Sequence, residues 1–225
     1  LNMQNSGTWM DLPGGARLWR LRLETPRALA TTLLFDEFQL PEGSRLHIYN
    51  DERTSMIGAF SAFNNEDGGT FATQIVFGEA CTLEYFEPAG TSTAAVLEIS
   101  HIGHCYRNVY PPNYKDASRG GSQSCEVDIN CNPEGNNWQD EKRGVLGMSI
   151  ATNFGSSWCT ASLVNNTSLD CKNYILSAMH CTESSTTNNF GEYVVYMNYA
   201  STGCGSGNVT TNQTVTGGAV REDSD

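Results

Sequence analysis

Trp158-Cys159-Thr160-Ala161-Ser162-Leu163-Val164-Asn165-Asn166-Thr167 and, a little further on, Tyr174-Ile175-Leu176-Ser177-Ala178-Met179-His180-Cys181 decide how the second half of this chain is read. Each holds a short apolar run next to Asn-, Ser- and Thr-rich turns, the pattern of β-strands separated by loops. A Cys on the first strand and a His-Cys pair at the end of the second point to a Cys159–Cys181 disulfide. Such a bridge closes a loop of about 22 residues, worth roughly 3 kcal/mol in the chain-entropy model. Its mechanical consequence is larger, because it pins the backbone beside His180. A general base must be held within reach of its proton donor, and a rigid support does that.

Strand-like runs continue on both sides of this pair. Residues 144–150, 193–199 and 213–220 complete the second half. In the first half, Arg17–Glu24 alternates, with Trp19, Leu21 and Leu23 on one side and Arg20 and Arg22 on the other, which is the signature of a half-buried strand. Residues 31–35, 45–50, 70–76, 82–86 and 94–102, with Met56–Phe60, follow the same style. Breaks at Leu12-Pro13-Gly14-Gly15, Pro41-Glu42-Gly43, 64–69 and Pro88-Ala89-Gly90 separate them. About seven strands at this spacing predict a jelly-roll-like β-sandwich over residues 1–106. No stretch reads as a convincing helix, so the whole chain is expected to be all-β.

Between the halves the pattern dissolves. Pro111-Pro112 is unsuited to a central strand, and Lys115-Asp116-Ala117-Ser118 leads into Arg119-Gly120-Gly121-Ser122. Residues 107–124 therefore read as an exposed linker with two basic cleavage points, Lys115 and Arg119. A plain tether between domains would look the same.

Composition narrows the function. With 225 residues, 39% of them hydrophobic, the chain can build one large all-β domain or two small ones. No apolar run is long enough for a membrane span. The net charge of −12 argues against nucleic acid, whose phosphates call for a basic face. Eight cysteines without a Cys-x-x-Cys pair suggest an oxidising compartment. The chain opens at Leu1 with no basic stretch leading into an apolar one, so a secretion signal is expected to have been removed or left out.

Ser177-Ala178-Met179-His180-Cys181 resembles the motif around the catalytic histidine of chymotrypsin-like serine proteases. The run from Cys159 to Thr167 is similar to the corresponding strands of bacterial lysyl endopeptidases. Ser124-Cys125-Glu126-Val127-Asp128-Ile129-Asn130-Cys131, with Pro133-Glu134-Gly135, resembles the start of the mature enzyme in that family. The resemblance covers residues 125–225 and implies the first β-barrel of a chymotrypsin-like double barrel. It implies a secreted bacterial serine endopeptidase, with protein or peptide substrates cleaved after Lys or Arg and no cofactor or metal.

In a chymotrypsin-like triad the order along the chain is His, Asp, Ser. By resemblance His180 is the base and Asp225 the aspartate that accepts from its Nδ1–H, with Asp223 the nearest competitor and a solvated acidic tail the plain alternative. No Gly-Asp-Ser-Gly-Gly segment occurs, and Gly203-Cys204-Gly205-Ser206-Gly207 is a poor substitute because it precedes the Asp. The nucleophile, the oxyanion donors and the specificity pocket are thus expected beyond Asp225, in a C-terminal catalytic half. The 225 residues alone are expected to be inactive. The family pattern also implies a Cys131–Cys204 bridge and a partner for Cys125 in that other half, while Cys171 departs from the pattern. Cys81 and Cys105 are candidates to pair with each other, although spacing does not fix connectivity.

Gly7-Thr8-Trp9, Leu12-Pro13-Gly14-Gly15, Leu18-Trp19-Arg20-Leu21 and Leu46-His47-Ile48-Tyr49-Asn50 resemble the propeptide domain that precedes such proteases. That implies a zymogen whose cleft is blocked until the linker is cut. Cutting after Arg119 exposes Gly120, unlike the Ile-Val type terminus of trypsin, so relief of blocking is the expected activation. Two other classes remain open. One is a secreted, non-catalytic β-sandwich binding or adhesion protein with a degenerate protease-like half, with Trp9, Trp19, Trp138 and Trp158 as stacking surfaces. The other is a metalloenzyme on His101-Ile102-Gly103-His104-Cys105, which lacks an evident further ligand. Against it, His101 is expected to share a strand face with Leu97 and Ile99, which reads as a packed histidine.

Overall fold

The computed structural model describes residues 1–106, 127–152, 155–183, 185, 187–205 and 213–221. The predicted cleavage points Lys115 and Arg119, and also Cys125, Asp223 and Asp225, lie outside these residues. The chain divides into two compact units, Leu1–Tyr110 and Pro111–Asp225. Both are built from antiparallel strands, and the described residues contain 3₁₀ turns but no α-helix.

The first unit contains nine strands: β1 (Thr8–Asp11), β2 (Arg17–Glu24), β3 (Ala30–Gln39), β4 (Arg45–Tyr49), β5 (Met56–Phe60), β6 (Phe71–Ala72), β7 (Val76–Phe77), β8 (Ala80–Glu87) and β9 (Val96–Cys105). One sheet runs β1-β2-β8-β4-β5, and in the other β3 pairs with β6, β7 and β9. Trp19, Leu21 and Leu23 of β2 point inward, as the alternation requires, with Trp19 only 1% exposed. They join Leu46, Ile48, Leu83 and Tyr85 of their own sheet and Leu33, Phe35, Phe38, Leu97 and Ile99 of the other in one apolar cluster. The two sheets thus form a β-sandwich. Each fully buried large side chain there contributes roughly 1.5–3 kcal/mol. Phe38 stacks on Phe71 with ring centroids 4.3 Å apart.

Three local readings change. The strand expected over 70–76 is two short ones, because the chain departs from the ladder at Thr73. Leu33 N donates to Thr73 Oγ1 at 3.0 Å while Thr73 N donates to Leu33 O at 2.9 Å, so a side chain fills one rung. On β9, the register slips between Leu34↔His101 and Phe35↔Ile99, a bulge that turns His101 out to solvent while Leu97 and Ile99 stay buried. His101 therefore does not share their face. His104 Nε2 lies 3.0 Å from Pro26 O, and His101, His104 and Cys105 do not gather into a ligand cluster. Finally, Cys81 and Cys105 are separate thiols rather than a disulfide. Cys81 pairs with Leu23 in one sheet and Cys105 with Ala30 in the other, so the two cysteines sit on opposite layers. Burial pushes the Cys81 thiol up to about 12 and that of Cys105 up to about 11.

The second unit is a five-stranded sheet in the order β12-β11-β10-β13-β14, with β10 (Val145–Thr152), β11 (Gly155–Val164), β12 (Tyr174–Ser177), β13 (Val194–Tyr196) and β14 (Thr214–Thr216). Among the described residues it is an open sheet, not a closed barrel. Its core holds Leu146, Met148, Ile150, Ala161, Val194, Val195 and Tyr196. Trp158 stacks on Tyr199, 5.5 Å between centroids, and Gly147 gives that ring room: a Cβ there would sit 3.1 Å from it.

Candidate active site

His180 sits on a single 3₁₀ turn, Met179–Cys181, that follows β12 directly. Ala178 is still extended (φ −84°, ψ 145°), and the chain then closes through Cys181 N to Ala178 O at 3.0 Å and Thr182 N to Met179 O at 2.8 Å. Thr182 Oγ1 donates to the same Met179 carbonyl at 3.0 Å. The strand that delivers this turn is zipped to β11 by Ser177↔Ala161 and Leu176↔Ser162, and Ser177 Oγ donates to Thr160 O at 3.0 Å. Cys159 on β11 and Cys181 on the turn are bonded, with Cα atoms 6.1 Å apart. Cys181 is buried, Cys159 half-buried and His180 exposed. The imidazole therefore projects from a turn that is tied covalently at its next residue.

The segment that follows the turn is tied by polar contacts. Ser185 N donates to Thr182 O at 2.9 Å, Ser185 Oγ donates to Ala151 O at 2.8 Å, and the buried Tyr193 donates its hydroxyl to Ser185 Oγ at 2.6 Å. The histidine turn is thus fixed to β11 by a disulfide and to the end of β10 by a hydrogen-bonded relay. Sequence reading found the first tie from a Cys and a His-Cys pair. It missed the second, since nothing in Ser185 or Tyr193 marks them as partners.

A second cluster organises the start of this unit. Cys131 and Cys204 are bonded across 73 residues. Beside them the Asp128 carboxylate accepts from Asn130 N at 2.8 Å, from Gly205 N at 3.3 Å and from Ser201 Oγ. Asn130 Nδ2 donates to Ser201 O at 2.8 Å, and Lys142 Nζ donates to Asn130 Oδ1 at 2.6 Å. Burial alone would raise the Asp128 pKa, but the hydrogen bonds from Ser201, Asn130 and Gly205 outweigh it and hold the carboxyl below its ordinary value. Gly135 is required here, since a Cβ would lie 1.9 Å from Ile129 O.

Of the candidate catalytic pair, His180 is described and Asp225 lies outside the described residues. The four tryptophans do not make one stacking surface: Trp19 is core, Trp158 is packed against Tyr196 and Tyr199, and Trp9 and Trp138 are exposed at 36% and 56%. Among the described residues, the group of potential metal ligands whose donor atoms converge, all within 4.8 Å of one another, is Cys159, His180 and Cys181. With the two sulfurs bonded to each other, that group is a disulfide beside a histidine.

Residues 119–225 match the family model described as lysyl endopeptidase, C-terminal domain. Over 217 aligned residues the chain is 26% identical to lysyl endopeptidase of Pseudomonas aeruginosa, an alignment that covers 92% of this chain and 46% of that relative. It extends through the first unit as well as the second. The chain spans about half the length of this curated relative. No solved structure matches the chain.

Proposed function

We propose that this protein, of the lysyl endopeptidase type, is the precursor of a secreted serine endopeptidase in which His180 is the general base. The observation that carries the reading is the His180 turn: an exposed imidazole on a disulfide-tied 3₁₀ turn at the end of β12, within the residues that match the family model. His180 Nε2 takes the proton of a serine hydroxyl supplied by residues beyond Asp225. The serine oxygen bonds to the peptide carbonyl carbon, the C–N bond breaks, and the proton passes to the leaving amine. Asp225 accepts from Nδ1–H, which fixes the tautomer and stabilises the imidazolium. Cleavage is after Lys or Arg.

The first unit acts as a propeptide domain, and cutting at Lys115 or Arg119 relieves its block on the cleft. The second unit packs against the C-terminal catalytic half through apolar residues that it leaves exposed. Among them is the cross-strand pair Leu163 and Ile175, at 37% and 41%, which share one face of the sheet. Burying such side chains is the driving force for joining two halves. The test is hydrolysis of Lys and Arg peptide substrates by the intact gene product, with and without His180→Ala. The reading expects a kcat loss of roughly 10⁴–10⁶-fold in the variant. Equal rates for the two proteins would contradict it.

A further inference from the structure

We infer that reduction of the Cys159–Cys181 disulfide converts this spot into a three-ligand site for a thiophilic divalent cation such as Zn²⁺, made of the two thiolates and the His180 imidazole. The donor atoms come from two elements that the sheet already holds together, β11 and the turn after β12, and all lie within 4.8 Å of one another. A tetrahedral zinc with Zn–S of about 2.3 Å and Zn–N of about 2.0–2.1 Å holds its ligands roughly 3.4–3.8 Å apart. Side-chain rotation reaches that spacing once the S–S bond is gone, because the Cα atoms stand 6.1 Å apart. Two thiolates and one imidazole are a donor set that zinc prefers, and the exposed face of His180 leaves the fourth position to water, the composition of an open rather than a closed zinc site.

The chemistry balances with a dithiol as the reductant. A thiolate of the dithiol attacks the half-buried Cys159 sulfur, the S–S bond breaks, and Cys181 leaves as its thiolate and takes up a proton. The second dithiol sulfur then displaces Cys159, and the reductant departs as its own disulfide. The cation subsequently binds the two sulfurs with release of both thiol protons. It re-closes the loop that the disulfide had closed, so the turn keeps its restraint. Ring nitrogen bound to a metal cannot accept a proton. On the function proposed above, a cation on Nε2 takes the lone pair that the base needs and one on Nδ1 displaces the N–H donated to Asp225, so the same event impairs the base, while the binding itself does not depend on that function.

The experiment is a Co²⁺ titration of the 225-residue chain, oxidised and after phosphine reduction with the phosphine removed, followed by absorption spectroscopy. His180→Ala and His180→Cys are run in parallel, and near-ultraviolet circular dichroism checks that each protein is folded. The inference expects a thiolate-to-cobalt band and tetrahedral d–d bands in the reduced chain but not in the oxidised one. Affinity should fall by about tenfold or more in His180→Ala, with altered d–d bands, and return in His180→Cys with a stronger thiolate band. Cobalt binding that is indifferent to His180→Ala overturns the inference, because the other cysteines would then be the ligands. Loss of the folded signal on reduction overturns it too, since the site needs β11 and β12 in place. If the titration fails while peptide hydrolysis still depends on His180, only this inference falls.

Discussion

Tyr193 donates its hydroxyl proton to Ser185 Oγ across 2.6 Å, and Ser185 Oγ donates on to the Ala151 carbonyl at 2.8 Å. This relay ties the segment after the His180 turn to the last residues of β10, while the disulfide ties the turn itself to β11. Tyr193→Phe keeps the buried ring and removes one donor, leaving Ser185 still bound to Ala151. The expected cost is about 1 kcal/mol of stability, read from denaturant unfolding. Because the turn loosens, kcat in the intact gene product should fall more than KM rises. A variant as stable as the parent would show that the relay holds nothing in place.

Asp128 gives the second unit an acid-sensitive joint. Its folded pKa lies below the ordinary carboxylate value, so its contribution to stability is present in full above the unfolded pKa. That contribution is lost as pH falls through the lower, folded value. Thermal melting followed from pH 7 to about pH 2 should show an extra decline below about pH 4 that Asp128→Asn removes. The variant should also melt lower than the parent at neutral pH, where Ser201 Oγ and Gly205 N lose an ionised acceptor. Parallel profiles for the two proteins would count against this account.

Thiol chemistry separates the three free cysteines described. Cys171 is exposed, whereas Cys81 is buried at 1% and Cys105 is half-buried with its thiol pushed up. The thiolate is the reactive form. Brief iodoacetamide treatment of the native chain at neutral pH should therefore modify Cys171 and spare Cys81 and Cys105 until denaturant is added. Peptide mass mapping reads the result, and early modification of Cys81 would contradict the packing of the sandwich.

Where side chains alternate between water and core, the fold was legible in the sequence. Trp19, Leu21 and Leu23 declare β2 because period-two burial leaves a period-two pattern. β1 was not legible: Thr8, Trp9, Met10 and Asp11 are all exposed on an edge strand, so no burial pattern marks them. The β9 bulge and the Thr73 interruption were equally silent, since one extra residue or one side-chain rung leaves the composition unchanged. At the site, Cys159, His180 and Cys181 stand in short motifs and can be read. Asp128 and Ser201, 73 residues apart, meet only through folding, as do Tyr193 and Ala151. Cys81 and Cys105 do not pair because strand order, which spacing does not encode, sends them to different sheets.

The central claim, that His180 activates a serine, is tested most directly by fluorophosphonate labelling of the intact gene product, parent against His180→Ala, read by intact mass. The account predicts one adduct on a serine beyond Asp225 in the parent and none in the variant within the same time. Absence of label in the processed parent protein, or labelling at the same rate without His180, would contradict it.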